Sequence, residues 1–484
     1  MRYVAGVERT QSIMFPQSLD EFISEDNPVR FIDAFVASLD LVELGFAHAI
    51  PSPTGRPAYD PADLLRLYLY GYLNGLRSSR RLEMEAQRNL ELIWLLRQLR
   101  PDFKTIADFR VANGAALKGL FKEFVFLCRR LDLLGGELVA LDGSKFRASN
   151  SRKRIFTNAK LAARIKDLEQ QIGAFMAELE RNDAEEQTPA PELVLRRSAQ
   201  QLKLAQLRQR HQRYQALQAQ MKQQQATQIA LTDPDARLMP QSHAQGGGTV
   251  VAYNVQTVVD AKHKLIPTYS VTTDTNDLGQ LTNMARQAKA ALGVAALEVL
   301  ADTGYYDGDE VAQCEAEQIT AYIPKPQSSS KSRSQGLFSK ADFRYDPATD
   351  CYRGPAGQTL TYRFTALQKG RELKHYYTSA CTRCELRPQC TERADGPRQV
   401  TRLVNEEALE RMAARMAAQP QKFGLRKTLA EHPFGTLKRP WNFGYFLLRG
   451  LTKVDAETAL GMLTYNIKRV INILGVPALM AALV

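Results

Sequence analysis

The chain has 484 residues, 44% of them hydrophobic, and 64 Lys+Arg against 52 Asp+Glu, for a net charge of +12. That length allows two to four domains of roughly 150 residues, the apolar content excludes wholesale disorder, and the basic balance suits a polyanion such as DNA or RNA. The chain has no run of about 18 apolar residues, which argues against a membrane-spanning helix, and the charged opening Met1-Arg-Tyr-Val-Ala-Gly-Val-Glu-Arg9 has no apolar core, so neither a membrane span nor a signal peptide is expected and the location reads as cytoplasmic.

Residues 1–115 read as a helical domain. Asn27-Pro28 and Asp60-Pro61 are helix starts, since proline suits the first turn. Leu64 to Tyr72 forms a helix that meets the turn signal Asn74-Gly75. A further helix is expected from Ser78 to Leu99 and a shorter one from Thr105 to Leu117. Arg77, Arg80 and Arg81 fall among these helices, with Arg88, Arg97 and Arg100 and the tyrosines 68, 70 and 72. An arginine-rich helical surface can grip duplex phosphates. The plainer reading makes the tyrosines core and the arginines a solvated face.

Residues 116–157 begin a sheet. Phe121 to Leu134 leads to the break Gly135-Gly136, then to the apolar run Leu138-Val-Ala-Leu-Asp142-Gly-Ser-Lys-Phe146. A short apolar run bounded by turn residues reads as a buried strand. It is followed by Lys145, Arg147, Arg152, Lys153 and Arg154, which either flank a bound phosphate or balance the acid. Over 158–235 the pattern becomes helical: Leu161, Ile165, Leu168, Ile172, Phe175 and Leu179 form a heptad seam. An acidic turn follows over Asn182–Pro191, and a second helix carries Leu202, Leu207, Tyr214, Leu217 and Met221. This is an inserted helical hairpin, for which self-packing is the simplest role and DNA contact or dimerisation the others.

Residues 236–325 return to the sheet. Gly246 to Asp260 and Leu265 to Thr273 read as a β-hairpin. Asp274 to Asp277 is expected to cap a helix over Leu278–Leu292. Leu297-Glu-Val-Leu-Ala-Asp302-Thr-Gly-Tyr-Tyr306 then repeats the grammar of the Asp142 run, before a helix from Gly308 to Gln318 and a strand from Thr320 to Pro324. Each apolar run is expected to deliver an aspartate at a strand's C-terminal end, where open α/β sheets place ligands. Two such carboxylates with a third make a site for magnesium, which prefers hard oxygen ligands. An RNase H-like sheet presents aspartates this way, although phosphatase and Rossmann folds also end strands on Asp.

Residues 326–400 open on a Ser- and Lys-rich linker, Ser328–Gly336, and hold Cys351, Cys381-Thr-Arg-Cys384 and Cys390. Four thiolates, or three with His375, would suit a structural Zn2+; four reduced thiols in a small β-subdomain is the alternative. In the helical region 401–484, Glu431 and Lys438 stand seven apart, two turns along one helix face. The carboxylate could reach a metal while the lysine reaches a phosphate; without the two aspartates an ordinary surface pair would explain them equally. A long amphipathic helix follows from Lys453 to Leu474.

Taken together, Leu141-Asp-Gly-Ser-Lys145, Tyr253-Asn-Val-Gln256, Thr273-Asp-Thr-Asn-Asp277, Ala301-Asp-Thr-Gly-Tyr305, the Cys-x-x-Cys-x-Leu-Arg-x-x-Cys block and Glu431-His-Pro-Phe-Gly-Thr-Leu-Lys438 resemble DDE transposases of bacterial insertion sequences, most closely the IS1182 group within the IS4/IS5-related set. The resemblance covers nearly the whole chain. It implies an α/β fold: an RNase H-like mixed-sheet catalytic core (116–157, 236–325 and 401–484), an N-terminal helical DNA-binding domain, an inserted helical hairpin and a Cys-rich insertion. It also implies an acidic triad of Asp142, Asp302 and Glu431 holding two Mg2+ ions, with Mn2+ able to substitute, and Lys438 beside the phosphate.

The family's tyrosine and arginine upstream of the glutamate are replaced by Gly424 and Lys427, with Arg426 adjacent, and the cysteine expected before Pro-x-Gly is Gly354. Arg426, Lys427 and Arg439 join Lys145 and Arg147 as expected backbone contacts. The implied partners are the element's terminal inverted repeats and target DNA, with a homodimer as the active form. A catalytically silent, domesticated transposase or another RNase H-like nuclease are the alternatives; a structural coiled-coil protein would account for 158–228 alone.

Overall fold

The computed structural model describes residues 18–51, 53–54, 57–151, 154–185, 191–223, 227–241, 247–326, 336–368, 371–391 and 396–483. Arg152, Lys153, Gly246, most of the Ser328–Gly336 linker and part of the Asn182–Pro191 turn lie outside the described residues.

The N-terminal region is helical: α1 (Pro28–Ala37), α2 (Pro61–Leu73), α3 (Ser79–Arg88), α4 (Leu90–Leu95), α5 (Phe103–Ala112) and α6 (Gly114–Arg130). The two Xaa-Pro starts hold, with the Asn27 side chain accepting from the Val29 N–H and Asp60 from Ala62. Two expected helices each break in two at an asparagine. Asn89 adopts an extended backbone, and its carboxamide oxygen takes the N–H groups of Glu91 and Leu92. Asn113 spends its side chain on Ala47 N–H and the Phe109 carbonyl. Local side-chain bonds of this kind compete with helix continuation. Tyr68, Tyr70 and Tyr72 are buried, as the core reading held.

The central sheet comprises β1 (Leu138–Arg147), β4 (Arg237–Pro240), β5 (Thr249–Asp260), β6 (Thr268–Thr272), β7 (Leu297–Leu300) and β8 (Ile319–Tyr322). Across it the order runs β6-β5-β1-β7-β8, with β4 beside the first part of β5. β1 pairs antiparallel with β5 and parallel with β7, and β7 pairs parallel with β8. Between β1 and β4, β2 (Ile155–Thr157) pairs with β3 (Gln228–Ala230) and closes the base of a helical hairpin, α7 (Asn158–Glu185) and α8 (Pro191–Gln223). Phe156, Leu161, Ile165, Met221 and Ile229 form a small core there, separate from the main one. Helices α9 (Leu281–Leu292) and α10 (Gly308–Ala316) connect the later strands.

A second, antiparallel sheet follows, β9 (Arg344–Asp346), β10 (Cys351–Arg353), β11 (Thr359–Gln368), β12 (Arg371–Tyr377) and β13 (Val400–Leu403), around its own cluster of Phe343, Tyr352, Leu360, Tyr376 and Val400. The chain ends in α11 (Arg387–Cys390), inserted before β13, then α12 (Glu406–Ala418), α13 (Pro420–Lys438), α14 (Leu451–Leu474) and α15 (Val476–Ala481). α14 is buried over most of its length and packs on α6 and α2. α13 lays Leu429 and Ala430 against Ala140, Leu300 and Tyr322, and Phe434 against Phe146, so it covers the β1–β7 face of the sheet.

Candidate active site

Asp142 does not end its strand. β1 runs on through Gly143 to Arg147, because β5 continues to pair with it and Phe146 is fully buried among Phe434, Phe443 and Phe446. What ends near Asp142 is its parallel neighbour. The β1–β7 register stops at Ala140 opposite Leu300. Two residues further along each chain stand Asp142 and Asp302, so the aspartates come level where β7 gives way to a 3₁₀ turn, Thr303–Tyr305. Asp302 caps that turn, accepting from the Gly304 N–H at 2.8 Å. Asp142 accepts from the Gly143 N–H at 2.9 Å.

The Asp142 carboxyl is pushed up to about 7, first by burial and then by the charges of Asp302 and Asp277, against the pull of Arg426. Arg426 reaches from α13 to 3.8 Å from Asp142 Oδ1. From the last turn of the same helix, Lys438 Nζ donates to Ser144 Oγ at 2.6 Å and to the Lys145 carbonyl at 2.9 Å, over the ring of Phe146. Burial pulls its ammonium down to about 8, with Lys145 adding repulsion and Asp142 opposing. Between these two cations Glu431 is exposed and pairs with no described residue. Among the described residues no group of three or more acidic, cysteine or histidine side chains is disposed to hold a metal ion. The structure thus brings together Asp142, Asp302, Arg426 and Lys438, and leaves Glu431 on the solvent side of their helix.

Asp277 is the residue that sequence reasoning misplaced. It caps no helix, since α9 starts at Leu281 and Gln280 precedes it. Its Oδ1 instead accepts from Asn254 Nδ2 at 2.8 Å and Gln256 Nε2 at 2.6 Å. The signal available was the Asn-x-Gln alternation, which puts two amides on one face of β5. Asn254 Oδ1, fully buried, has no partner. Asp142 and Asp302 themselves supply hard carboxylate oxygens, the donor chemistry a magnesium-type ion requires.

The expected DNA contacts divide. Arg77 is a correction: it is buried, paired to Glu457 at 3.2 Å, donates to the carbonyls of Tyr445 and Asn442, and lies over the rings of Phe443 and Tyr445. It ties the N-terminal helices to the C-terminal segment and has no face for a phosphate. Arg80, Arg81, Arg147, Lys427 and Arg439 are exposed and Lys145 is half-buried; Arg80 lies over Phe103 and Arg147 over Tyr445.

The four-thiolate zinc site is also corrected. Cys351 is buried in β10 beside Thr349 Oγ1 at 2.9 Å, whereas Cys390 neighbours Cys384 and Cys381. Burial, with the charge of those two, pushes the Cys390 thiol up. The alternative ligand His375 is buried in β12 and stacked on Phe364.

Two family models match the chain: a transposase domain (DUF772) over residues 17–112, and a transposase DDE domain over residues 353–471. The chain carries the domains of a DDE transposase of an insertion sequence. The IS1182 resemblance is consistent with both matches. No curated protein and no solved structure matches the chain. Glu431 and Lys438 of this transposase fall inside the second matched region, and Asp142 and Asp302 lie between the two. Transposases of this kind generally work with divalent metals, and no helix among the described residues is long and apolar enough to cross a membrane.

Proposed function

We propose that this transposase binds the terminal inverted repeats of its element and cuts and joins DNA by metal-assisted phosphoryl transfer at Asp142 and Asp302. The observation that carries the proposal is the β1–β7 register, which sets the two aspartates side by side under a helix bearing Arg426 and Lys438. The strand order β6-β5-β1-β7-β8, antiparallel on one side of β1 and parallel on the other, supports an RNase H-like core for that chemistry. In this reading the matched N-terminal helices are a DNA-binding domain, α7–α8 and β9–β13 are insertions, and the active complex is a homodimer acting in the cytoplasm.

Asp142, Asp302 and, once α13 presents it, Glu431 are the residues that would hold divalent cations, Mg2+ or Mn2+, of which the reaction needs two. Bound there, such ions supply Lewis-acid stabilisation of the phosphoryl oxygens and acidify the attacking water or 3′-OH. The chain's own part is electrostatic and positional. Lys438, fixed on Ser144 and the Lys145 carbonyl, puts a cation within reach of a phosphate passing over β1. Arg426 balances Asp142 while the carboxylates stand alone. The exposed Arg147, Lys427 and Arg439 offer further backbone contacts.

The test is cleavage and strand transfer of DNA carrying the element's own ends, with and without Mg2+. Asp142→Asn and Asp302→Asn are expected to abolish both reactions while end binding survives. Retained cleavage in either variant removes that residue from the site, and no metal-dependent cleavage by the wild type overturns the reading.

A further inference from the structure

We propose that Asp277 is a positioning residue of this site, a carboxylate wedged behind Asp142 and Asp302 that fixes their spacing and sharpens their demand for a divalent cation. The inference rests on the functional reading above.

Three contacts place it. First, its Oδ1 is held by the amides of Asn254 and Gln256, which stand opposite Lys145 and Gly143 in the β1–β5 ladder. Asp142 pairs with Thr257, so its side chain leaves the other face of the sheet. Asp277 therefore approaches the acidic pair from behind. Second, it packs directly on the main chain that follows Asp142: a Cβ on Gly143 would collide with Asp277 Oδ1 and Gln256 Nε2 and stand 3.1 Å from Asn254 Oδ1. Glycine at 143 is thus a demand of this carboxylate, beyond any need of a turn, since β1 runs straight through it. Third, a Cβ on Gly304 would stand 2.9 Å from Asp302 Oδ1 and 3.4 Å from Asp277 Oδ2, so the two carboxylates share the space around one glycine. The turn carrying Asp302 is tied to the same group, because the buried Tyr305 hydroxyl donates to Gln256 Oε1.

The network Tyr305–Gln256–Asp277–Asn254 thus links the turn after β7 to the strand bearing Asp142. Its one unsatisfied member is the fully buried Asn254 Oδ1, which meets no donor and lies against Gly143. Like charges held together repel unless a cation offsets them. Removing Asp277's charge leaves Asp142 and Asp302 with a weaker pull on that cation and a looser spacing. Partners standing behind metal ligands typically alter metal affinity by about 10- to 100-fold when removed.

The test is calorimetric titration of Mn2+ into wild type and Asp277→Asn, with thermal melting to establish folding and Mg2+ titration of end-DNA cleavage alongside. The folded variant is expected to bind Mn2+ about tenfold more weakly. Cleavage lost at low Mg2+ should return as Mg2+ is raised. A merely structural role would lower the melting midpoint without moving Mn2+ affinity; a folded D277N with wild-type affinity overturns the proposal. Should D277N fail to fold, Gly143→Ala, which crowds the same carboxylate with its charge intact, is titrated instead, and wild-type affinity there overturns it equally. Wild type that binds Mn2+ but never cuts end DNA sinks the functional reading alone, since the Mn2+ comparison still stands.

Discussion

Replacing Asp142 by asparagine removes a carboxyl that the fold holds at a pKa of about 7 against an ordinary 3.8. With each tenfold change in the proton equilibrium worth about 1.36 kcal/mol, ionising Asp142 costs roughly 4 kcal/mol more in the folded chain than in the unfolded one. Between about pH 4 and pH 7 the unfolded chain has released this proton and the folded chain still holds it, so wild-type stability falls as pH rises through that window. The cost is absent below about pH 4 and complete above about pH 7. Asparagine has no proton to lose. D142N should therefore gain on wild type by roughly 4 kcal/mol between about pH 4 and pH 8. At about 2.1 cal/mol/K per residue, a chain of this length unfolds with an entropy near 1 kcal/mol/K, so the gain is about 4 °C in melting midpoint. Scanning calorimetry of both proteins in chelator, at several pH values, reads the difference directly. Adding Mg2+ at about pH 8 should raise the wild-type midpoint and leave D142N nearly unmoved, because binding to the folded form is what stabilises it. A midpoint difference that stays constant with pH would refute the claim that Asp142 is a half-buried, repelled carboxylate.

Arg77→Ala strands Glu457, which is fully buried, with only the backbone N–H groups of Leu447 and Leu448. Breaking a buried pair typically costs about 3–5 kcal/mol, so the variant should melt markedly lower, while end-DNA affinity per folded molecule is unchanged. Lys438, with its ammonium drawn down to about 8, loses its charge as pH rises past that value, so DNA binding by wild type should weaken above about pH 8 and that of Lys438→Arg should not, as guanidinium stays charged. The folding cost of the charged lysine is present below about pH 8 and is relieved from there towards its ordinary 10.5. Glu431→Gln, at an exposed and unpaired position, should change stability by less than about 0.5 kcal/mol yet abolish end-DNA cleavage; a gel assay showing full cleavage would remove Glu431 from the triad.

What was legible in the sequence was local. Asn27-Pro28 and Asp60-Pro61 begin helices because cap and proline act within one turn, and the apolar runs before Asp142 and Asp302 are strands because nothing polar interrupts them. The helical hairpin was legible for the same reason, its seam being written in one stretch. Misreadings arose where a distant partner decides. Asn89 and Asn113 look permissible in a helix until their side chains find backbone groups. Gly143 looks like a turn until β5 pairs past it. Arg77 looks like a phosphate ligand until Glu457, about 380 residues on, takes its charge. Cys351 shares a segment with three other cysteines, but its strand buries it beside Thr349.

The same distinction bears on the acidic triad. Seven-residue spacing puts Glu431 and Lys438 on one side of α13, but spacing says nothing of what that side meets. The buried stripe Leu429, Ala430, Pro433, Phe434 and Leu437 decides how the helix sits. Seated so, its last turn lets Lys438 fold inward to Ser144, an earlier turn lets Arg426 point at Asp142, and Glu431 is left facing solvent. Arg426 thus holds the counter-charge position that a bound cation would otherwise fill beside Asp142. Binding a divalent ion must displace or weaken that 3.8 Å pair, and loss of Arg426 should ease metal binding even as it raises the cost of the bare carboxylate. Arg426→Gln is therefore expected to bind Mn2+ more tightly than wild type and to melt lower in chelator. Weaker Mn2+ binding in that variant would mean that Arg426 supports the metal-bound arrangement, and that its contact with Asp142 is no placeholder.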